Sequence, residues 1–276
     1  MTTLRDIVKH LQTISPRDFT IRGLESRVEI GPQTESEQTR TTIGRVLVAT
    51  YPSARAVAKA SQDKANLLIT FWPLFPYLLD RLCGLDLLRV RLLTKNYIST
   101  YVIGSAWASA NGGLTDALVD TLVLKNIRDF RTVGDNSEAV PLGRICEPPS
   151  VLNHSGLVNS LSEKVGADSV LFTGSLDDEV KSVLVIAGSL VDVSEIVQAV
   201  GQDISTVVTG ELSSETRMIA AEEGLSVIEL GPFRTEEPGM KRLRDHLALE
   251  FSELKMDFIE SSPLSRTLRP YAHDMA

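Results

Sequence analysis

Two stretches of this chain can be laid over one another, and each demands a parallel pair of strands. The first, VLVATYPSARAVAKASQDKANLLITFWPL from Val46, runs apolar strand, short polar turn, helix, apolar strand, Thr. The second, VLVIAGSLVDVSEIVQAVGQDISTVVTGEL from Val183, repeats the plan. A strand, a crossover helix and a second strand close by the right-handed route into a parallel pair, so each stretch is a βαβ unit. A third strand follows in both, over 98–103 and over 226–230, and each ends in a glycine, Gly104 and Gly231. The pattern predicts an α/β fold of two similar lobes, each a mainly parallel sheet flanked by helices.

The remaining segments fit around that plan. Leu4, Ile7, Val8, Leu11 and Ile14 recur at helical spacing and the stripe stops at Ser15-Pro16, which predicts an amphipathic opening helix. Residues 29–42 have no apolar rhythm and read as a loop. A long helical region, broken near Gly84, is expected after Phe75, and Gly112-Gly113 precedes a helix over 114–122. Segments 169–173 and 183–187 flank Asp177-Asp178-Glu179 and read as a hairpin or an added edge strand. The tail over 261–276, polar with two prolines, reads as an extended arm or disordered.

Composition narrows the function classes. Of 276 residues, 28 are Lys or Arg and 36 are Asp or Glu, a net charge of −8, and no run of basic residues occurs, so a nucleic-acid backbone is excluded as a partner of the monomer surface. The longest apolar run, over 67–75, is far short of the roughly 20 residues that span a bilayer. Asp6, Lys9 and His10 interrupt the first helix, which therefore does not read as a secretory signal, and the cytoplasm is expected. Cys83 and Cys146 stand apart and read as buried small side chains in a reducing compartment. The four histidines, His10, His154, His246 and His273, are scattered, and no Ser-His-Asp or Cys-His arrangement can be built from sequence.

Open parallel sheets gather ligands just past the carboxyl ends of their strands. Three such places stand out: Phe71-Trp72-Pro73, Gly104-Ser105-Ala106-Trp107-Ala108, and the run from Gly231 to Glu236. Together with LLIT-xx-PLF at 67–75, NGGLTDAL at 111–118, LGRI at 142–145, VVTGELS at 207–213 and G-xxx-TE-xx-G-M-K-x-L from Gly231, the chain resembles the Nif-three-like dinuclear metal-centre family, some members of which carry the label type-two GTP cyclohydrolase I. The order and spacing of these motifs carry the resemblance.

That resemblance implies two-lobed α/β subunits assembled as toroidal hexamers, with two divalent metal ions in a cleft. It also implies that the C-terminal segment returns to the first lobe, giving 1–130 plus 231–276 as one lobe and 131–230 as the other. Its His-His pair falls on Phe71 and Trp72. Its second run puts a His on Gly104 and an Asp on Ala108, and its third puts a His on Pro232 and a Glu on Glu236. Only Glu236 keeps a donor. Phenyl, indole, methyl and a proline ring donate nothing to a metal. The expectation is a metal-free member without cofactor: a non-catalytic structural or regulatory subunit, self-associating or partnered by an active relative.

Two readings of the former cleft stay open. In one, Phe71, Trp72, Trp107 and their neighbours fill it as core. In the other, Trp72 and Trp107 stack a planar, nucleotide-like ring while Ser105, Arg234, Thr235 and Glu236 supply polar contacts. A metal-dependent hydrolase using other ligands is the enzymatic alternative. Thr235 is also a candidate N-cap for a helix over 239–251, Gly112-Gly113 and Thr209-Gly210-Glu211 could be phosphate cradles or tight turns, and Arg144 could serve an interface or pair with a carboxylate such as Asp116.

Overall fold

The computed structural model of the chain describes residues 1–148, 150 and 152–263. In chain order the first half comprises α1 (Leu4–Ile14), a 3-10 turn (Arg17–Phe19), β1 (Arg27–Ile30), α2 (Glu35–Arg40), β2 (Arg45–Ala49), α3 (Ala54–Gln62), β3 (Leu67–Thr70), α4 (Gly84–Lys95), β4 (Ser99–Val102), α5 (Ser105–Ser109) and α6 (Leu114–Leu122). Strands β2, β3 and β4 are parallel neighbours, with β1 antiparallel on the outside of β4. Their side chains divide by period two. Val46, Val48, Leu67 and Ile69 enter the main core, while Leu47, Ala49 and Leu68 meet Val57 and Ala60 of α3 and Leu93 of α4 on the other face. Burial on both faces is why β2 and β3 read as nearly continuous apolar runs.

The second half comprises β5 (Lys125–Val133), β6 (Ala139–Glu147), α7 (His154–Val165), β7 (Leu171–Thr173), β8 (Val183–Val185), α8 (Val193–Val200), β9 (Thr206–Thr209), α9 (Ser214–Glu222), β10 (Ser226–Glu229), α10 (Pro232–Glu250) and β11 (Lys255–Ile259). Here β8, β9 and β10 are the parallel trio, β7 lies antiparallel outside β10, and β6 and β5 extend the sheet beyond β8. The repeat extends to detail. A Cβ on Gly31, just after β1, would stand 2.6 Å from Ser99 Oγ, and one on Gly174, just after β7, would stand 2.5 Å from Ser226 Oγ.

Several expectations change. The loop over 29–42 contains α2, started by a capping box between Thr34 and Glu37. Residues 71–83 are turns and coil, so the helix begins only at Gly84. Segments 169–173 and 183–187 do not form a hairpin with each other: β7 is an edge strand on β10. The hairpin of this half is β5–β6 instead. Because β5 starts at Lys125 and belongs to the second sheet, a lobe boundary at residue 130 falls inside a strand. β11 pairs with β2 in the first sheet. Cys83 is exposed and only Cys146 is buried, its thiol pushed up to about 12 by burial, against which Arg144 acts. Of the expected tail, Ser261 is tied to Glu237 and Tyr51, and residues 264–276 lie outside the described ones.

One apolar core spans both sheets, drawing on α1, α6 and α10 as well as β6, β8, β9 and β10. Within it Arg144 is 1% exposed. Its Nε and Nη2 donate to the two oxygens of Asp116 at 2.6 and 3.0 Å, and its Nη1 to the carbonyls of Pro141 and Gly143. The role left open by sequence is therefore the carboxylate pairing. Arg144 is buried but Asp116 is 23% exposed, so Arg144→Ala, which leaves a partly hydrated carboxylate and two carbonyls without their donor, is expected to lower unfolding free energy by about 1–3 kcal/mol in urea titrations, and Arg144→Lys to recover little because one ammonium cannot reproduce the fork.

Candidate functional site

At the end of β3 the chain turns sharply. Phe71 N and Trp72 N both donate to Thr50 O at 3.1 Å, and Thr70 Oγ1 donates to Trp72 O at 2.8 Å. This bend buries Phe71 completely and sends Trp72 across toward α10. The two rings meet edge to face, with centroids 5.2 Å apart and an interplanar angle of 81°. The indole Nε1 then lies 3.2 Å from each carboxyl oxygen of Glu236.

Glu236 is placed by the start of α10. Gly231, at φ +92°, ends β10, Pro232 occupies the first turn, and Glu236 follows one turn later at 1% exposure. Against it stands Gly188, at φ +72°, where a Cβ would come within 2.5 Å of Glu236 Oε1. Burial pushes the Glu236 carboxyl up to about 8; the Trp72 N–H opposes this, and Glu211 and Glu237 add to it. At neutral pH the group is mainly a protonated, neutral acid.

The other expected residues are spent on structure. Gly104 ends β4, and Ser105, fully buried, has its hydroxyl between the carbonyls of Ile21 and Leu24 while accepting from Ile21 N at 3.0 Å. Trp107, 3% exposed, donates its indole N–H to Gly239 O at 3.3 Å, and Ala108 is fully buried. Thr235 is not an N-cap: it lies inside α10, accepts from Gly188 N at 3.0 Å and bonds back to the carbonyls of Gly231 and Pro232. Arg234 is exposed and lines a different groove with Lys164, Lys241 and Arg242. The fold thus brings Trp72 onto Glu236, with Phe71 against the indole and Gly188 against the carboxyl, packs Trp107 and Ala108 into the core, and leaves Arg234 outside.

These residues do not fit a pair of divalent ions. Of the positions the resemblance marks, only Glu236 carries a carboxyl, held neutral by burial and hydrogen-bonded to an indole, and among the described residues no group of three His, Cys, Asp or Glu side chains is arranged to hold a metal. The tight-turn reading accounts for Gly113 and Gly210. A Cβ at Gly113 would lie 2.0 Å from Trp107 O, and one at Gly210 would lie 2.6 Å from Gly188 O, so both glycines serve close chain approaches. The histidines are less scattered than the sequence suggested. His10 and His246 stack with centroids 5.1 Å apart and Nε2 atoms 2.9 Å apart, while Glu250 lies 3.8 Å from His10 Nδ1. Only the helical spacing of His246 and Glu250 was readable beforehand.

Comparison with known proteins places this geometry in context. A family model described as Duf34/NIF3 (NGG1p interacting factor 3) matches residues 2–264. A GTP cyclohydrolase 1 type 2 homolog of Clostridium perfringens is 24% identical over 94% of this chain and 95% of that protein. One of Methanocaldococcus jannaschii is 23% identical over 92% and 99% respectively. A Bacillus cereus protein related to NIF3 has the same fold, with a TM-score of 0.81 at 15% identity over 97% of this chain and 99% of that one.

The raised Glu236 pKa makes a signed prediction. Its folded value lies above the ordinary 4.5, so its contribution to stability is complete below about pH 4.5 and is lost as pH rises through 8. Glu236→Gln, which cannot ionise, should match the pH dependence of the parent at acid pH and gain on it above, by on the order of a few kcal/mol at pH 9. Urea titrations of both proteins from pH 4.5 to 9 check this; parallel curves would mean that Glu236 is already ionised at neutral pH.

Proposed function

Because the chain belongs to the Duf34/NIF3 family, we propose that it is a member in which side chains have replaced the dinuclear metal centre, acting as a cytosolic, self-assembling subunit of structural or regulatory role. The observation that carries this reading is the Trp72–Glu236 hydrogen bond. The one remaining carboxyl of the family pattern is neutralised by burial and bound to a donor that cannot share it with a cation. Curated relatives bear the name of a GTP cyclohydrolase, but a hydrolytic water activated by metal needs donors that Phe71, Trp72, Gly104, Ala108 and Pro232 do not supply. Absence of a helix long and apolar enough to cross a membrane, among the described residues, is in keeping with a cytosolic location.

Self-association is supported by an apolar run on the surface. Tyr77, Leu78, Leu79, Leu82, Leu85 and Leu88 are all exposed, Leu78 fully. Clustered exposure of this kind is what an interface covers, unlike single scattered leucines. A ring of six copies follows the family resemblance; a partnership with a metal-bearing relative would use the same surface.

Two measurements test the proposal. Plasma mass spectrometry of the purified protein should find well under one equivalent of transition metal per chain, and two tightly held equivalents would overturn the metal-free reading. Light scattering coupled to gel filtration should give a multiple of the 30.2 kDa chain mass, with six the expected multiple. Leu78→Asp with Leu85→Asp should lower that multiple while leaving the circular dichroism spectrum unchanged; a monomeric parent would remove the assembly part.

A further inference from the structure

One pair of histidines joins helices from opposite ends of the sequence. His10 lies in the second half of α1 and His246 near the end of α10. Their Nε2 atoms are 2.9 Å apart, and the rings are 24° from parallel. Phe251 meets His10 edge to face, with centroids 5.5 Å apart, and Glu250 Oε1 stands 3.8 Å from His10 Nδ1. The His10 side chain keeps 19% exposure and His246 is exposed, so protons from solvent reach both rings.

Two ring nitrogens at that distance form a hydrogen bond, in which one must donate and the other accept. A neutral imidazole offers one of each, whereas an imidazolium offers two donors and no acceptor. The contact therefore survives one proton on the pair, which makes the bond charge-assisted with Glu250 beside it. A second proton sets N–H against N–H. The other charges on the neighbouring elements are engaged elsewhere. On α1, Asp6 caps Thr3 and is the group that Lys9 acts on, and Arg5 is held by Glu35 of α2 at 2.5 Å. On α10, Arg242 meets Asp120 of α6 and Arg244 meets Asp245, each at 2.7 Å, while Glu253 beyond the helix accepts from Thr2. Burial lowers the proton affinity of His10, Glu250 opposes that, and His246 adds to it. Its folded value lies below the ordinary 6.5, so its contribution to stability is complete above about pH 6.5 and is lost as pH falls from there through the folded value.

We propose that the His10–His246 contact is an acid-sensitive catch, which holds the second half of α1 against α10 near neutral pH and lets it go when both rings are protonated. α1 buries Leu4, Ile7, Val8 and Leu11 in the core shared by the two sheets, so release at its far end uncovers Leu11 and the half-buried Ile14. At its near end α1 stays tied, by Leu4 N donating to Thr41 O at 2.8 Å and by the bridge between Thr3 and Thr42. The opening is therefore local. It rests on neither the metal-free reading nor self-assembly, and its sign with pH is opposite to that of Glu236.

Hydrogen exchange of the full chain, read by mass spectrometry at pH 7.5, 6.0 and 5.0 with rates corrected for the intrinsic effect of pH, tests the catch. Peptides over residues 8–15 should exchange at least tenfold faster at pH 5.0 than at 7.5, while those over β2 and β3 change less than twofold. His10→Gln with His246→Gln installs two amides that donate and accept at either pH, and should bring the change over 8–15 below twofold. Nitrogen-15 spectra of the parent rings should show the pair titrating in two steps, the lower more than about one unit below the ordinary 6.5. Exchange over 8–15 that does not respond to pH overturns the catch, as does an acid response that the double variant retains. Rings that titrate together in a single step near 6.5 overturn the shared proton.

Discussion

Everything in the molecule is spaced by the closest approach of two helices. At Gly239, α10 passes so near α6 that a single Cβ would stand 2.5 Å from Leu114 Cα, and the carbonyl of the same glycine accepts the indole N–H of Trp107 from α5. α10 leaves one sheet at β10 and delivers the chain to the other at β11, with Glu236, Met240, Leu243 and Leu247 buried along the way. Holding the three helices at this distance allows one core to serve both sheets. Pro238, one residue earlier, withdraws a donor from the ladder at a point where the helix has already been fixed from outside.

The chain treats its inward-facing acids in two ways. Glu195 meets Arg22 and the hydroxyl of Thr132, Glu229 meets Arg217 through both oxygens, and the partly exposed Asp116 meets the buried Arg144. Each has a cation beside it. Glu236 has only an indole and a glycine, and its proton affinity rises accordingly. A carboxyl left without its counter-ion keeps its place by giving up its charge. The aromatic pair Phe71–Trp72 therefore does more than fill space: it provides the one N–H that a neutral acid in that position can use.

How far the sequence could be read depended on the range of the interactions involved. The parallel strands were legible because burial on both faces makes 46–49, 67–69 and 207–208 apolar throughout, and the Nif-three-like resemblance marked Phe71, Trp72 and Glu236 as neighbours. The β5–β6 hairpin was not, since its outer strand is mostly exposed and Lys125 to Val133 carries no clear alternation. The pairing of β7 with β10 was also hidden, because nothing local distinguishes an edge strand from half of a hairpin. Ser105 and Thr235 looked like pocket residues, but their hydroxyls are consumed by backbone groups 84 and 47 residues away in the chain. The contact of His10 with His246 spans 236 residues and could not be anticipated.

The return of β11 to β2 also fixes an order of events at the ribosome. β2 pairs on one side with β3, made soon after it, but its other side waits for residues 255–259. At ordinary elongation rates that wait lasts roughly 10–40 s. Throughout it, the edge of Arg45–Ala49 presents open amides and carbonyls on a strand that is buried in the finished protein. Completion of the first sheet is thus tied to the last part of the described chain, and a nascent chain stalled before residue 255 would carry an unpaired, apolar strand edge for as long as the stall persists.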